Sequence, residues 1–182
     1  MQLGGGKYCF IAVGSLIHRK GFDVLIKALA RMQSKCVEVY IVGDGADKEK
    51  LKTLAVSEGV GDRVKFFGRI SKPEIIKLMN ECHAFCLPSR DETFGVAHIE
   101  AMAMGLPVVT TICGGPEYFV NETNGRLVAI DDIEGLANAM DDVLQSYEQY
   151  KPEEIREYVR SRFSGEVIAK QIVEYIVDIK KE

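Results

Sequence analysis

The 182-residue chain has no tryptophan, only three histidines and five prolines, and no surplus of basic residues. Its formal net charge is −4. The basic face that general nucleic-acid binding needs is therefore missing, and any anion held here must be held by local geometry. No stretch approaches the roughly 18 consecutive apolar residues of a membrane span. The opening MQLGGGKY also lacks the apolar run of a signal peptide. A cytoplasmic location is expected. The glycines of residues 1–6 read as a tag or linker remnant, which leaves 7–182 as one domain of ordinary size. The five cysteines (Cys9, Cys36, Cys82, Cys86 and Cys113) are odd in number and are expected to be reduced, buried thiols. Cys82-His83-x-x-Cys86 lacks the second paired half of a structural zinc site. It reads instead as a helix end running into a core strand.

Apolar residues make up 47% of the chain, enough for a substantial core. Short apolar runs alternate with helical patterns. The runs Tyr8–Gly14, Val37–Gly43, Val64–Phe67, Ala84–Leu87, Pro107–Thr111 and Arg126–Ile130 read as strands. The first helix carries Leu25, Ala28, Leu29 and Met32 on one face, and a second spans Asp47 to Glu58 with Leu51, Leu54 and Ala55 inward. Ser71-Lys72-Pro73-Glu74 is a capping box with proline in the first turn. A helix follows from about Gly95 to Met104, ended by Gly105. Asp131 or Asp132 caps a helix bearing Ile133, Leu136, Ala137, Met140 and Leu144. Another helix follows Pro152, and a last one after Ser164 carries Ile168, Ile172, Tyr175, Ile176 and Ile179. The pattern predicts a Rossmann-like, doubly wound α/β domain with about six parallel strands. Such sheets bind ligands beyond the carboxyl ends of their strands, so the loops after the strands hold the candidate site.

The segment Ser89–Val109, SRDETFGVAHIEAMAMGLPVV, carries the most chemical information. Glu92 lies in a loop leaving a strand, Gly95 where a helix begins, and Glu100 about 7–8 Å further along the helix axis. A helix N-terminus offers unpaired N–H groups and partial positive charge, and glycine permits close approach of a phosphate. The spacing predicts an anion site flanked by two carboxylates that face one cavity. A sugar, a diphosphate and a ribose joined in that order fit this layout. Gly43-Asp44-Gly45 lacks the Gly-Lys-Ser/Thr of a phosphate-binding Walker loop and reads as a strand-to-helix turn. Gly114-Gly115-Pro116 shapes a loop near the same edge. His98, two residues before Glu100, does not share its helix face and is assigned to packing or surface. His18 is a weaker candidate for phosphate contact.

These motifs resemble those of the large retaining glycosyltransferase family with a Glu-x7-Glu motif, the glycosyl transferases group 1. Pro88-Ser89, Glu92-Thr93-Phe94-Gly95, Glu100-Ala101 and Gly105-Leu106-Pro107-Val108-Val109 fall in that family's order. So do Val13-Gly14 with Lys20-Gly21, Val42-Gly43-Asp44-Gly45, Phe67-Gly68, Gly114-Gly115-Pro116-Glu117 and Asn124-Gly125. The resemblance covers about residues 8–179. It implies the C-terminal, donor-binding lobe of a two-lobed GT-B enzyme whose acceptor-binding lobe is not in this chain. It further implies transfer of a glycosyl group from a UDP- or GDP-linked sugar with retention of anomeric configuration, with no metal and no cofactor. Membrane contact would then come only through the absent lobe, at the inner face of the membrane. By position, Glu92 and Lys20 are the expected catalytic pair: Glu92 on donor-sugar hydroxyls, Lys20 on the diphosphate. Phe94, Gly95 and Val96 present backbone N–H groups, and Glu100 holds the ribose. Arg69 or Ile70 passes beside the nucleobase, and Gly14 lets the chain turn close under the phosphates. The family's usual arginine after that glycine is Ser15 here, and Arg19 is a candidate substitute.

Overall fold

The structure is a computed structural model that describes residues 7–170. Six strands form one parallel sheet: β1 (Tyr8–Val13), β2 (Val37–Val42), β3 (Val64–Gly68), β4 (Ala84–Leu87), β5 (Val108–Thr111) and β6 (Gly125–Val128). Their spatial order is β3-β2-β1-β4-β5-β6. The helices are α1 (Phe22–Arg31), α2 (Lys48–Ser57), α3 (Lys72–Glu81), α4 (Val96–Ala103), α5 (Ile133–Gln145) and α6 (Pro152–Phe163). α1 packs between α2 and α5, α3 lies on β1, and α4 contacts β4, β5 and α6. Helices on both faces leave the central strands no solvent. Phe10, Ile11 and Ala12 of β1 and every residue of β4 and β5 are buried, as the continuous apolar runs predicted.

The predicted helix faces are the ones buried: Leu25, Ala28, Leu29 and Met32 are all fully enclosed. The capping box at α3 forms, with the Glu74 carboxylate accepting from Ser71 N–H at 2.9 Å and from its hydroxyl at 2.6 Å. Asp132, not Asp131, caps α5 by accepting from Gly135 N–H at 2.8 Å. β6 spans Gly125–Val128 rather than Arg126–Ile130. Its ladder with β5 begins at Gly125 opposite Val108 and ends with Thr111 opposite Val128, so residues 129 and 130 lie beyond the ladder. A Cβ on Gly125 would lie 2.0 Å from the Val108 carbonyl oxygen, which explains why glycine opens this strand. Four cysteines are buried, with Cys9 and Cys82 facing each other, but Cys36 is exposed at the turn before β2. Residues 165–170 are helical after Ser164, with Ile168 partly exposed; Ile172, Tyr175, Ile176 and Ile179 lie outside the described residues.

Two buried carboxylates hold the sheet to its surroundings. Asp141 on α5 accepts from the backbone N–H groups of Gln33 at 2.7 Å and Ser34 at 3.1 Å, tying the α1–β2 connection to α5. Glu38 on β2 binds Lys65 at 2.6 Å and Lys7 at 2.8 Å. Those two lysines hold its carboxyl below the ordinary carboxylate value, overcoming the effect of burial. Replacing Asp141 by Ala should cost about 2–4 kcal/mol, since two backbone donors lose a charged, buried acceptor; urea denaturation measures it. Because Glu38 is more acidic folded than unfolded, it adds stability above the ordinary value of 4.5 and loses it as pH falls through the depressed one. Glu38→Gln should therefore flatten the acid limb of a stability–pH curve and leave its alkaline limb unchanged.

Candidate functional site

The strand order reverses between β1 and β4. The chain leaves β1 toward β2 on one side and returns through α3 to β4 on the other, so the loops after β1 and β4 diverge and leave a crevice. The β1 loop ends in a 3-10 turn, His18–Lys20, followed by Gly21 at φ 68°. A Cβ on Gly21 would sit 1.9 Å from the Pro88 carbonyl oxygen, so only glycine lets this turn press against the β4 loop. The Arg90 N–H donates to the Arg19 carbonyl at 2.8 Å and completes the join.

Across this join Lys20 Nζ meets Glu92 Oε1 at 2.5 Å, with both side chains largely buried. Ser89 Oγ donates to the same oxygen at 3.1 Å, and the Thr111 hydroxyl in turn fixes the Ser89 carbonyl. Glu92 is framed from below by the β5 loop. Its N–H donates to the Cys113 carbonyl at 3.0 Å, and it bridges Gly114. Side chains at Gly114 or Gly115 would strike the backbone of Glu92 or Phe94. The Glu117 carboxylate fixes that loop by accepting from Cys113 N–H and Gly114 N–H. The Gly-Gly-Pro-Glu motif thus acts as a rest for the Glu92–Phe94 segment.

Gly95 stands at the N-cap of α4 at φ 86°, ψ 45°, with no side-chain cap. Its missing Cβ would lie 3.0 Å from His98 Nδ1 and 3.3 Å from Phe119 and Pro116. His98 is fully buried and hydrogen-bonds Thr110 Oγ1 at 2.9 Å through Nε2, while Thr110 donates to the Leu87 carbonyl at 2.9 Å. This network clamps the start of α4 onto β4 and β5, and burial lowers the imidazole pKa. His98 is packing, and α4 presents its first N–H groups between exposed Phe94 and Val96. That end of the helix attracts an anion.

The remaining candidates divide. Gly14, Ser15, Arg69 and Ile70 line one cavity of about 180 Å³ together with Asp44. Gly14 has ordinary room for a methyl group, so the surrounding protein does not demand glycine there. Arg19 is held at the surface by Asp91 at 3.0 Å, away from the Lys20–Glu92 pair. His18 lines a separate groove between α1 and α2. Glu100, half exposed and 3.5 Å from Lys72, lines a groove of about 650 Å³ between α4 and α6. Glu92 lines neither that groove nor the Gly14 cavity. Glu92 is buried against Lys20, which answers its charge, while Glu100 stands half exposed beside Lys72. Ser89 and Thr111 are the site residues the sequence reading missed. Ser89 was visible only as a motif neighbour, and Thr111 only as a strand residue.

The sequence model of the glycosyl transferases group 1 matches residues 2–162. The chain belongs to that family. It is 34% identical over 135 residues to the lipopolysaccharide core biosynthesis glycosyltransferase LpsE of Rhizobium meliloti, covering 74% of this chain and 38% of LpsE. It is 32% identical over 162 residues to a glycogen synthase of Mycobacterium tuberculosis, covering 86% and 39%. Among solved structures, Anabaena Alr3699/HepE in complex with UDP superposes with a TM-score of 0.86 at 27% identity, over 95% of this chain and 49% of that one. The apo form of the lipopolysaccharide outer core galactosyltransferase WaaB gives 0.88 at 25% identity, over 96% and 50%. The chain thus spans about half or less of the length of these relatives. In this chain Lys20 and Glu92 form a largely buried ion pair. Lys20→Met should lower stability by about 1–3 kcal/mol by stranding Glu92, and adding Glu92→Gln should recover most of the loss; chemical denaturation of the single and double variants reads both.

Proposed function

We propose that this chain is the donor-binding lobe of a retaining glycosyltransferase, and that joined to an acceptor-binding lobe it transfers a glycosyl group from a nucleoside-diphosphate sugar. One observation carries the reading: Lys20 and Glu92 meet across the β1/β4 switch point, beside the uncapped N-terminus of α4. A diphosphate placed there takes hydrogen bonds from the first N–H groups of α4 and the charge of Lys20. Both strengthen as negative charge gathers on the leaving oxygen. Glu92, released from Lys20, turns to the hydroxyls of the sugar. The nucleoside extends past Gly14 and Ser15 toward Arg69 and Ile70, where the cavity is already shaped, and Glu100 holds the ribose from the far side of α4. The leaving phosphate oxygen removes the acceptor proton on the same face of the sugar, so no side chain serves as general base.

Six of the exposed large apolar residues support a missing partner lobe. Ile17, Phe94, Val96, Ile112, Tyr118 and Ile130 all lie in loops at the carboxyl edge of the sheet or at the start of α4. That is the edge a second lobe would face. The complex of Alr3699/HepE with UDP makes a uridine nucleotide the first ligand to test.

Because the donor diphosphate and Glu92 compete for Lys20, Glu92→Gln should bind UDP or GDP about 5–10-fold more tightly while losing affinity for the sugar-linked nucleotide. Isothermal calorimetry of UDP, GDP and UDP-glucose separates the two effects. Equal weakening of all three ligands would refute the competition. Ser15→Arg, restoring a cation beneath the diphosphate, should tighten nucleotide binding by a similar factor. The chain alone should show little or no transfer in a turnover assay.

A further inference from the structure

Beyond the bond from its backbone to Arg19, Arg90 engages its guanidinium heavily beside the site. It is largely buried and reaches three separate segments. Nη1 and Nη2 grip both oxygens of Asp23 at the start of α1, at 2.9 and 2.8 Å. Nη1 also donates to the His18 carbonyl at 2.6 Å, and Nη2 meets Asp131 at 2.7 Å in the β6–α5 connection. Burial alone would raise the Asp23 pKa, but the hydrogen bonds and charge of Arg90 outweigh it and hold the carboxyl below its ordinary value. Asp131 is the one non-glycine residue with positive φ, 61°, among the described residues. A backbone conformation that asparagine and aspartate adopt more readily than most is thus combined with an ion pair to the same arginine.

The placement of these contacts has a consequence for Lys20 and Glu92. Arg90 lies two residues before Glu92 in the β4 loop, and its side chain grips the turn that presents Lys20 at its amino end, His18. Its own N–H grips the middle of that turn, Arg19. The bonds to His18 and Arg19 therefore tie the β4 loop that carries Glu92 to the turn that carries Lys20, and those to Asp23 and Asp131 hold Arg90 in place to make them. Lysine at this position could not serve equally, because the planar fork holds Asp23 through both oxygens while still reaching two other acceptors.

We propose that Arg90 is a positioning residue for diphosphate binding: it sets the distance and direction at which Lys20 is presented, without touching the ligand. The proposal deepens the donor-lobe reading above and rests on it. A merely structural Arg90 would lower the melting temperature and leave the folded protein's affinity alone. A positioning Arg90 makes the contribution of Lys20 depend on it.

The test is a double-mutant cycle on the full chain. UDP and GDP are the probes, and binding is measured by calorimetry well below each variant's melting temperature. Lys20→Ala and Arg90→Gln should each weaken binding by about tenfold, the worth of one charge-assisted hydrogen bond. Independent losses would multiply to about a hundredfold in the double variant. The expectation here is that the double variant is about tenfold weaker, no worse than Lys20→Ala. Multiplicative losses, or an Arg90→Gln protein that binds as tightly as wild type, would overturn the proposal. Should Arg90→Gln not fold, Arg90→Lys and Asp131→Asn take its place in the same cycle, each with a loss of about threefold that again vanishes when Lys20 is already alanine. Wild-type protein that binds neither nucleotide would bring down the donor-lobe reading itself, and that outcome is seen before any variant is made.

Discussion

The site is organised around the electrostatic need of one buried carboxylate. Glu92 sits where two loops part at the reversal of the strand order, among β4, the β5 loop and the 3-10 turn after β1. A carboxylate in that position is costly unless a cation and a hydroxyl answer it. Lys20 and Ser89 do so, and the rest of the edge is arranged to keep them in reach. Gly21 lets the Lys20 turn press against Pro88. Gly114 and Gly115 let the β5 loop run under Glu92, and the His98–Thr110 pair pins the helix that begins just beyond. Removing side chains at those glycines is therefore a matter of close approach, not of flexibility.

The same arrangement relates the fold to its chemistry. A parallel sheet with helices on both faces aims its α4 N-terminus outward at the carboxyl edge, where unpaired N–H groups attract an anion. The Lys20–Glu92 pair places a cation and a carboxylate within bonding distance of each other at that point. In the proposed function the two groups serve opposite ends of one ligand, a phosphate and a set of hydroxyls. Closed against each other, the two groups satisfy the buried carboxylate. Membership of the glycosyl transferases group 1 agrees with this layout. So does the row of exposed apolar residues along the same edge, on a chain that spans only part of its relatives.

Much of the fold was legible along the chain because its signals are local. Continuous apolar runs marked the buried strands, the spacing of Leu25, Ala28, Leu29 and Met32 marked the face of α1, and Ser71 with Glu74 marked a helix start. The errors fell where a distant partner decides. The end of β6 depends on where β5 stops offering a ladder, and between Asp131 and Asp132, both open as caps, the structure takes Asp132 while Asp131 pairs with Arg90. Exposure of Cys36 follows from its place at a turn outside the sheet.

The candidate site divides in the same way. Residue order alone singled out Glu92, Gly95 and Glu100, because a carboxylate, a glycine and a helix start at fixed spacing form a local pattern; Lys20 was named only through the family resemblance. Residue order could not place Glu92 and Glu100 relative to a common cavity, nor bring Lys20 against Glu92 from 72 residues away. Packing decided both. A buried carboxylate turns toward the nearest available cation, and only the closed sheet determines which cation that is.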